Sequence, residues 1–249
     1  MIYRKSPEEL ESMRRGARIL TETLDRLEEA TRPGVTTADL DRLAEEAITG
    51  AGGFPSFKGY RGFPASICTS PNEVIVHGIP NDVPLEEGDI LSIDVGVIYQ
   101  GLHTDSAWTF PVGDVDGDAV KLLELTEAAL EAAIEQCRPG NRTGDVGAAV
   151  EHVVEGAGYG LVREYVGHGV GRHLHEDPQI PNYGPPGRRD PLKPGMTLAI
   201  EPMVNAGSGW TEALDDGWTV VTADGSLSAH FEHTVAITET GHEVLTLRT

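Results

Sequence analysis

The 249-residue chain has only two cysteines, Cys68 and Cys137, and no CxxC. That excludes a disulfide framework and zinc–thiolate sites, and it suits a reducing compartment. Basic side chains are also scarce: 19 Lys and Arg against 40 Asp and Glu leave a formal net charge of -21. Such a field opposes binding to nucleic acid or to an anionic membrane surface. No run approaches the roughly 18 apolar residues of a membrane span, and the opening MIYRKSPEELESMRR lacks the apolar core of a secretory signal. A cytoplasmic protein is expected, with solubility the simplest role for its acidity. The 39% hydrophobic content suffices for one large α/β core or two small ones.

Helix signals come first in the chain. Ser6-Pro7-Glu8-Glu9 has capping-box spacing, and Leu10, Met13, Ala17, Leu20, Leu24 and Leu27 form one apolar stripe at steps of three and four. They predict a helix over about 6–29, ended by Arg32-Pro33-Gly34. Thr36 or Thr37 caps a second helix reaching Gly50 or Gly52, a third is expected over about 117–137, and Thr143 caps a fourth to about 155. Strands are expected at 66–69, 74–77, 165–170, 196–204, 218–223, 227–238 and 244–247, with Gly- and Pro-rich loops at 53–64 and 178–195.

The order repeats itself. Arg32-Pro33-Gly34 with Thr37 and Asp39 returns 106 residues later as Arg138-Pro139-Gly140 with Thr143 and Asp145. EGDILSID, ending at Asp94, aligns with PGMTLAIE, ending at Glu201, at an offset of 107. Two echoes at nearly one offset predict a duplicated helix-helix-strand unit with a site between its halves. The halves fall at about 6–112 and 113–247, within a single domain spanning 1–249.

Residues 90–110, ILSIDVGVIYQGLHTDSAWTF, read as a β-hairpin carrying one aspartate on each arm. A two-residue loop at Tyr99-Gln100 sets Asp94 directly opposite Asp105. Like charges facing each other destabilise a sheet, so either a cation lies between them, or a bulge or basic partners relieve them. Further ionisable groups stand among glycines and apolar neighbours: His168 in GHGVG, His175-Glu176, Glu201 in AIEPM and Glu232 in HFEHT. Isolated charges are costly to bury, so Glu201 after Leu198-Ala199-Ile200 needs a metal, a cation or a proton. Four carboxylates beside one imidazole suit a pair of divalent cations of the Mn, Fe or Co type.

These and further segments together resemble the type I methionine aminopeptidases of the pita-bread metallopeptidase family, over 6–247. The matching segments are CTS at Cys68, NEV at Asn72, HGIP at His77, SIDVG around Asp94, HTD ending at Asp105, GHGVG around His168, HLHE around His175, IEPM around Glu201, DGW ending at Trp218 and FEHT at Glu232. The resemblance implies an α+β pita-bread fold, with pseudo-two-fold halves and an antiparallel sheet core covered by helices. It implies that Asp94, Asp105, His168, Glu201 and Glu232 ligate two divalent ions (Co, Mn, Fe or Zn), with Asp105 and Glu232 bridging. Glu201 would be the base, His175 would bond the developing oxyanion, and His77 would contact the peptide. Tyr60, Phe63, Cys68, His77, Leu174 and Trp218 match the pocket for an N-terminal methionine, and Asn72, Val74 and Ser228 a monovalent-cation site.

Implied partners are the N-termini of nascent polypeptides and a transient ribosome contact, on a monomeric protein. The chain departs from the family at Thr104, where Gly is usual, at His230, where Gln is common, and at Phe57, where Cys is frequent. The acidic TEALDD at 211–216 opposes tight ribosome docking. Two other readings compete: a prolidase or aminopeptidase P, which normally carries an additional N-terminal domain, and a non-catalytic binding protein on the same fold.

Overall fold

In the computed structural model, which describes residues 1–248, the predicted apolar stripe of the first helix is buried. Helix α1 runs Pro7–Ala30, opened by a capping box in which Ser6 and Glu9 satisfy each other's backbone N–H. Helix α2, Thr37–Gly50, starts with the same device between Thr36 and Asp39. Helix α3 spans Gly117–Ile134 behind an Asp116 cap, and α4 spans Thr143–Ala157, closed by Gly158 at φ 83. The third helix thus stops three residues short of its expected end, and Thr143 is the first helical residue of the fourth instead of its cap.

Every strand pairing among the described residues is antiparallel. One sheet joins Phe54–Pro55, Ile67–Pro71, Ile90–Tyr99 and Leu102–Pro111. Helices α1 and α2 cover it, burying Leu20, Leu24 and Leu40 on Leu91, Ile93 and Val95. A five-stranded sheet holds, in order, His242–Val244, His233–Ile237, Thr197–Ile200, Gly167–Gly169 and Glu176–Ile180. Helices α3 and α4 contribute Leu122, Leu130 and Val150 to a second core with Leu198, Phe231 and Val235. Trp108 lies partly buried against both cores.

Two smaller sheets complete the fold: Ser228–His230, Met203–Asn205 and Gly160–Leu161, and Thr211–Ala213, Val220–Thr222 and Val74–Val76. The expected loop at 178–195 begins inside a strand, and the loop at 53–64 includes the short strand Phe54–Pro55 and a turn of 3-10 helix at Tyr60–Gly62.

Two departures from the expected strands bear on the site. The hairpin pairs Tyr99 with Leu102, so Asp94 faces Ala107 and Asp105 faces Gly96. Gln100 and Gly101 form the loop at φ 51 and 79, the left-handed pair of a type I′ turn, which displaces the expected register by two residues. A two-residue slip keeps both aspartates on one face, now as diagonal neighbours.

The expected strands at 196–204 and 227–238 are each broken in the middle. At Glu201-Pro202 the chain leaves the five-stranded sheet for the Met203–Asn205 sheet, and at Phe231-Glu232 its neighbour makes the reverse change. Proline has no N–H to continue the ladder. Glu201 and Glu232 therefore stand at a corner where two strands switch sheets together, not within strands.

Candidate metal centre

The corner brings its two glutamates to the hairpin. Glu232 N–H donates to Ala107 O at 2.8 Å, beside Asp94 across the hairpin. Ser106 Oγ donates to Glu232 O at 2.5 Å. His168 arrives from the short strand Gly167–Gly169, paired on one side with Thr197–Ile200 and on the other with Glu176–Ile180. Both flanking glycines are needed there: a Cβ on Gly167 would lie 2.4 Å from Ala199 O, and one on Gly169 2.3 Å from Asp177 O.

Ligand atoms of Asp105, His168 and Glu232 all lie within 4.8 Å of one another. Glu201 Oε1 is 3.4 Å from His168 Nε2. Burial pushes all four carboxyls up, Asp94 to about 7 and Asp105, Glu201 and Glu232 well above their ordinary range. Mutual repulsion adds to the last three: Glu232 and Asp94 act on Asp105, Asp105 and Asp94 on Glu201, and Glu201 and Asp94 on Glu232. Asp94 Oδ1, Asp105 Oδ1 and Glu232 Oε1 are buried without a hydrogen-bond partner. Buried polar atoms are rarely left so, and a cation is the partner that would satisfy several carboxylates at once.

His168 is prepared for the same partner. Its Nδ1 lies 2.9 Å from Gly169 O, so the ring proton is placed there and Nε2 keeps its lone pair toward the carboxylates. Burial lowers its pKa to about 4, which keeps the ring neutral. Oxygen donors with one bare imidazole nitrogen fit divalent transition ions.

Above the carboxylates is a cavity of about 170 Å³ lined by Tyr60, Phe63, Cys68, His77, Leu174, His175 and Trp218 with the acids below. This is under the roughly 300 Å³ where pockets for whole small ligands begin, and suits a single side chain. Phe57, Phe63, Ala65, Cys68 and Leu174 pack as a separate apolar cluster with Tyr60 and Trp218 at its edge. His175 Nδ1 is 2.9 Å from Tyr60 Oη, and the two rings stack at 5.3 Å. With Tyr60 donating, His175 carries its proton on Nε2; although the residue is exposed at the cavity mouth, partial desolvation and the neighbouring His168, His77 and Arg61 lower its pKa, which favours the neutral donor. His77 adopts φ 60, a left-handed conformation uncommon for a side-chain-bearing residue, with its ring edge-on to Tyr165 and Trp218.

All five expected ligands and all six expected pocket residues therefore meet at one cavity. Asn72, Val74 and Ser228 do not line it. Asn72 O accepts Ser228 N–H at 2.8 Å, and its side chain bonds Asp89 and Ile90 N–H. Arg61, on the cavity rim, is not marked by the sequence, nor is Tyr165, which lines a smaller adjoining cavity with His230. Their neighbours along the chain carry no ligand-like pattern that would single them out.

A buried carboxylate cluster with one imidazole, opening on a cavity the size of one side chain, defines a metal-dependent enzyme centre. The chain belongs to metallopeptidase family M24, whose model matches residues 11–239. It is 54% identical to methionine aminopeptidase 1 of Bacillus subtilis over 246 residues, 99% of each chain. The crystal structure of methionine aminopeptidase from Rickettsia prowazekii superposes with a TM-score of 0.98 at 44% identity, covering 99% of this chain and 100% of that one. A prolidase from Pyrococcus furiosus shares the fold at a TM-score of 0.82 and 24% identity, and this chain spans 66% of its length. The α+β pita-bread architecture expected from the sequence is the one found.

Proposed function

We infer that the protein is a methionine aminopeptidase that removes the N-terminal methionine of nascent polypeptides when the second residue is small. The observation that carries this reading is the placement of four carboxylates, two buried and two half-buried, and a bare imidazole nitrogen at the floor of an apolar cavity sized for one side chain. Asp94, Asp105, His168, Glu201 and Glu232 would hold two divalent ions, of Co, Mn, Fe or Zn. Such ions acidify water and polarise a peptide carbonyl.

The chain's own residues supply the rest. Glu201, 3.4 Å from His168 and half-buried, accepts a proton and returns it to the departing amine. His175 donates from Nε2 to the oxygen that gains charge, oriented by Tyr60. His77 faces the peptide beside the scissile bond. Phe57, Phe63, Cys68, Leu174 and Trp218 enclose an unbranched thioether side chain, and this wall excludes water. The Cys68 thiol, pushed well up by burial, is no nucleophile.

This activity belongs in the cytoplasm, on a monomer acting as one catalytic unit over 1–249, with a transient ribosome contact and a monovalent cation near Asn72, Val74 and Ser228. No helix among the described residues is long and apolar enough to cross a membrane. The test is a panel of peptides with added Mn, Co or Fe. Met-Ala-Ser and Met-Gly-Ser are cleaved and Met-Lys-Ser is not; faster release of N-terminal Ala or Leu, or cleavage of Ala-Pro alone, would place the protein with the other aminopeptidases of the fold.

A further inference from the structure

The most completely buried ion pair among the described residues has no part in the chemistry above. Lys5 Nζ lies 2.5 Å from Glu176 Oε2, with side chains 0% and 1% exposed. Removing two charges from water is costly, and a pair so placed is no strong source of stability in itself. Its position is informative, because Glu176 directly follows His175 and its other oxygen, Oε1, accepts His173 N–H at 3.1 Å. The carboxylate thus braces the loop on both sides of His175.

The backbone is shaped to admit Lys5. Gly171 sits at φ 148, and a Cβ there would lie 2.2 Å from Lys5 Cε, so the lysine stem crosses where a side chain would otherwise stand. Its own backbone is fixed by Lys5 N–H donating to Gly195 O at 2.6 Å. Alongside, Arg172 Nε donates to Glu9 Oε1 at 2.8 Å, and His103 N–H to Gly171 O at 2.6 Å. Segment 5–9 and the hairpin therefore hold the 171–176 loop from two sides.

We propose that Lys5, acting through Glu176, is a positioning residue that sets the placement of His175 over the metal centre. The proposal rests on the reading of His175 as donor to the developing oxyanion. Without the ammonium, Glu176 is a buried charge with no countercharge; it turns toward water and releases His173 N–H, and His175 loses its alignment while the apolar cavity is untouched.

A double-mutant cycle in the metal-loaded enzyme tests this. Lys5→Met lowers kcat for Met-Ala-Ser by about tenfold or more with KM changed less than about threefold, the size expected from slight misplacement of a catalytic donor. In a His175→Ala background the same substitution lowers kcat by less than about twofold, since the group it positions is gone. A wild-type kcat in Lys5→Met, or an equal loss in both backgrounds, overturns the proposal. If Lys5→Met does not fold, Glu176→Leu enters the same cycle; it removes both the partner of Lys5 and the oxygen that accepts His173 N–H. The ring-nitrogen resonance of His175 in metal-free, ¹⁵N-histidine-labelled protein, identified by its loss in His175→Ala, shifts in Lys5→Met or Glu176→Leu while that of exposed His152 does not. An unmoved His175 resonance also overturns the proposal, and this measurement stands whether or not Met-Ala-Ser is the substrate.

Discussion

Asp105 and Thr234, 129 residues apart in the chain, hold each other: Asp105 N–H donates to Thr234 Oγ1 at 2.9 Å, and that hydroxyl donates to Asp105 O at 2.7 Å. One side chain satisfies both backbone groups of a central acid of the site, and it comes from the strand that follows Glu232. Thr234→Val keeps the shape and leaves a buried N–H and C=O unpaired. A loss of about 1–3 kcal/mol per unsatisfied group is expected, read as a lower denaturation midpoint, and with it weaker metal affinity by titration calorimetry. Thr234→Ser should retain most of both.

Glu201→Gln keeps an oxygen beside His168 but removes the base and one negative charge. Turnover of Met-Ala-Ser should fall by about two to four orders of magnitude, the range of general base catalysis. Steady-state kinetics on refolded, metal-loaded protein checks this. Turnover within tenfold of wild type would remove Glu201 from the proton path.

Stability of the metal-free protein should depend on pH in a way set by the buried site. Asp94 at about 7, and Asp105, Glu201 and Glu232 well above their ordinary values, have folded-state pKa values raised by burial. For raised acids the folded state binds more protons, so stability is fully present below about pH 4 and is lost as pH rises through the folded values. His168, His175 and His230, held at about 4, 3 and 3, act in the other direction, losing stability as pH falls below about 6.5. Above that pH only the carboxylates remain, and the melting midpoint of chelated protein should fall between pH 6.5 and 8. With saturating Mn it should not fall, because ions hold the deprotonated acids. A flat profile without metal would mean that the acids are not buried together.

Much of this site is legible in the amino-acid sequence alone. Capping boxes at Ser6 and Thr36, apolar stripes and the repeat at an offset of 106 to 107 carry the helices, since local spacing fixes them. The motifs around Asp94, Asp105, His168, Glu201 and Glu232 carry the ligands. Three features are not legible there because they depend on long-range geometry. The hairpin register turns on whether Tyr99-Gln100 or Gln100-Gly101 forms the loop, and the left-handed φ of Gln100, a non-glycine residue, hides the answer. Pro202 marks the break at Glu201, but nothing in HFEHTVAI marks the matching sheet change at Glu232, which is set by its neighbour across the corner. Gly96 reads as an ordinary strand residue, yet a Cβ there would lie 2.6 Å from Phe57 Cε1, so its absence lets Phe57 form the cavity wall.

If the four crowded carboxylates hold metal, both folding and peptide cleavage depend on it. The most direct measurement follows thermal unfolding and Met-Ala-Ser turnover on one sample, before and after full chelation at fixed ionic strength, so that screening of the net charge is not mistaken for binding. Ions in hundredfold excess over Kd add about 2.7 kcal/mol, or roughly 5–10 °C for a domain of this size. Chelation should lower the midpoint by that order and abolish turnover, Mn, Co or Fe should restore both, and Asp105→Asn should blunt the restoration. An unchanged midpoint with undiminished turnover, in protein verified to be free of metal, would contradict that dependence.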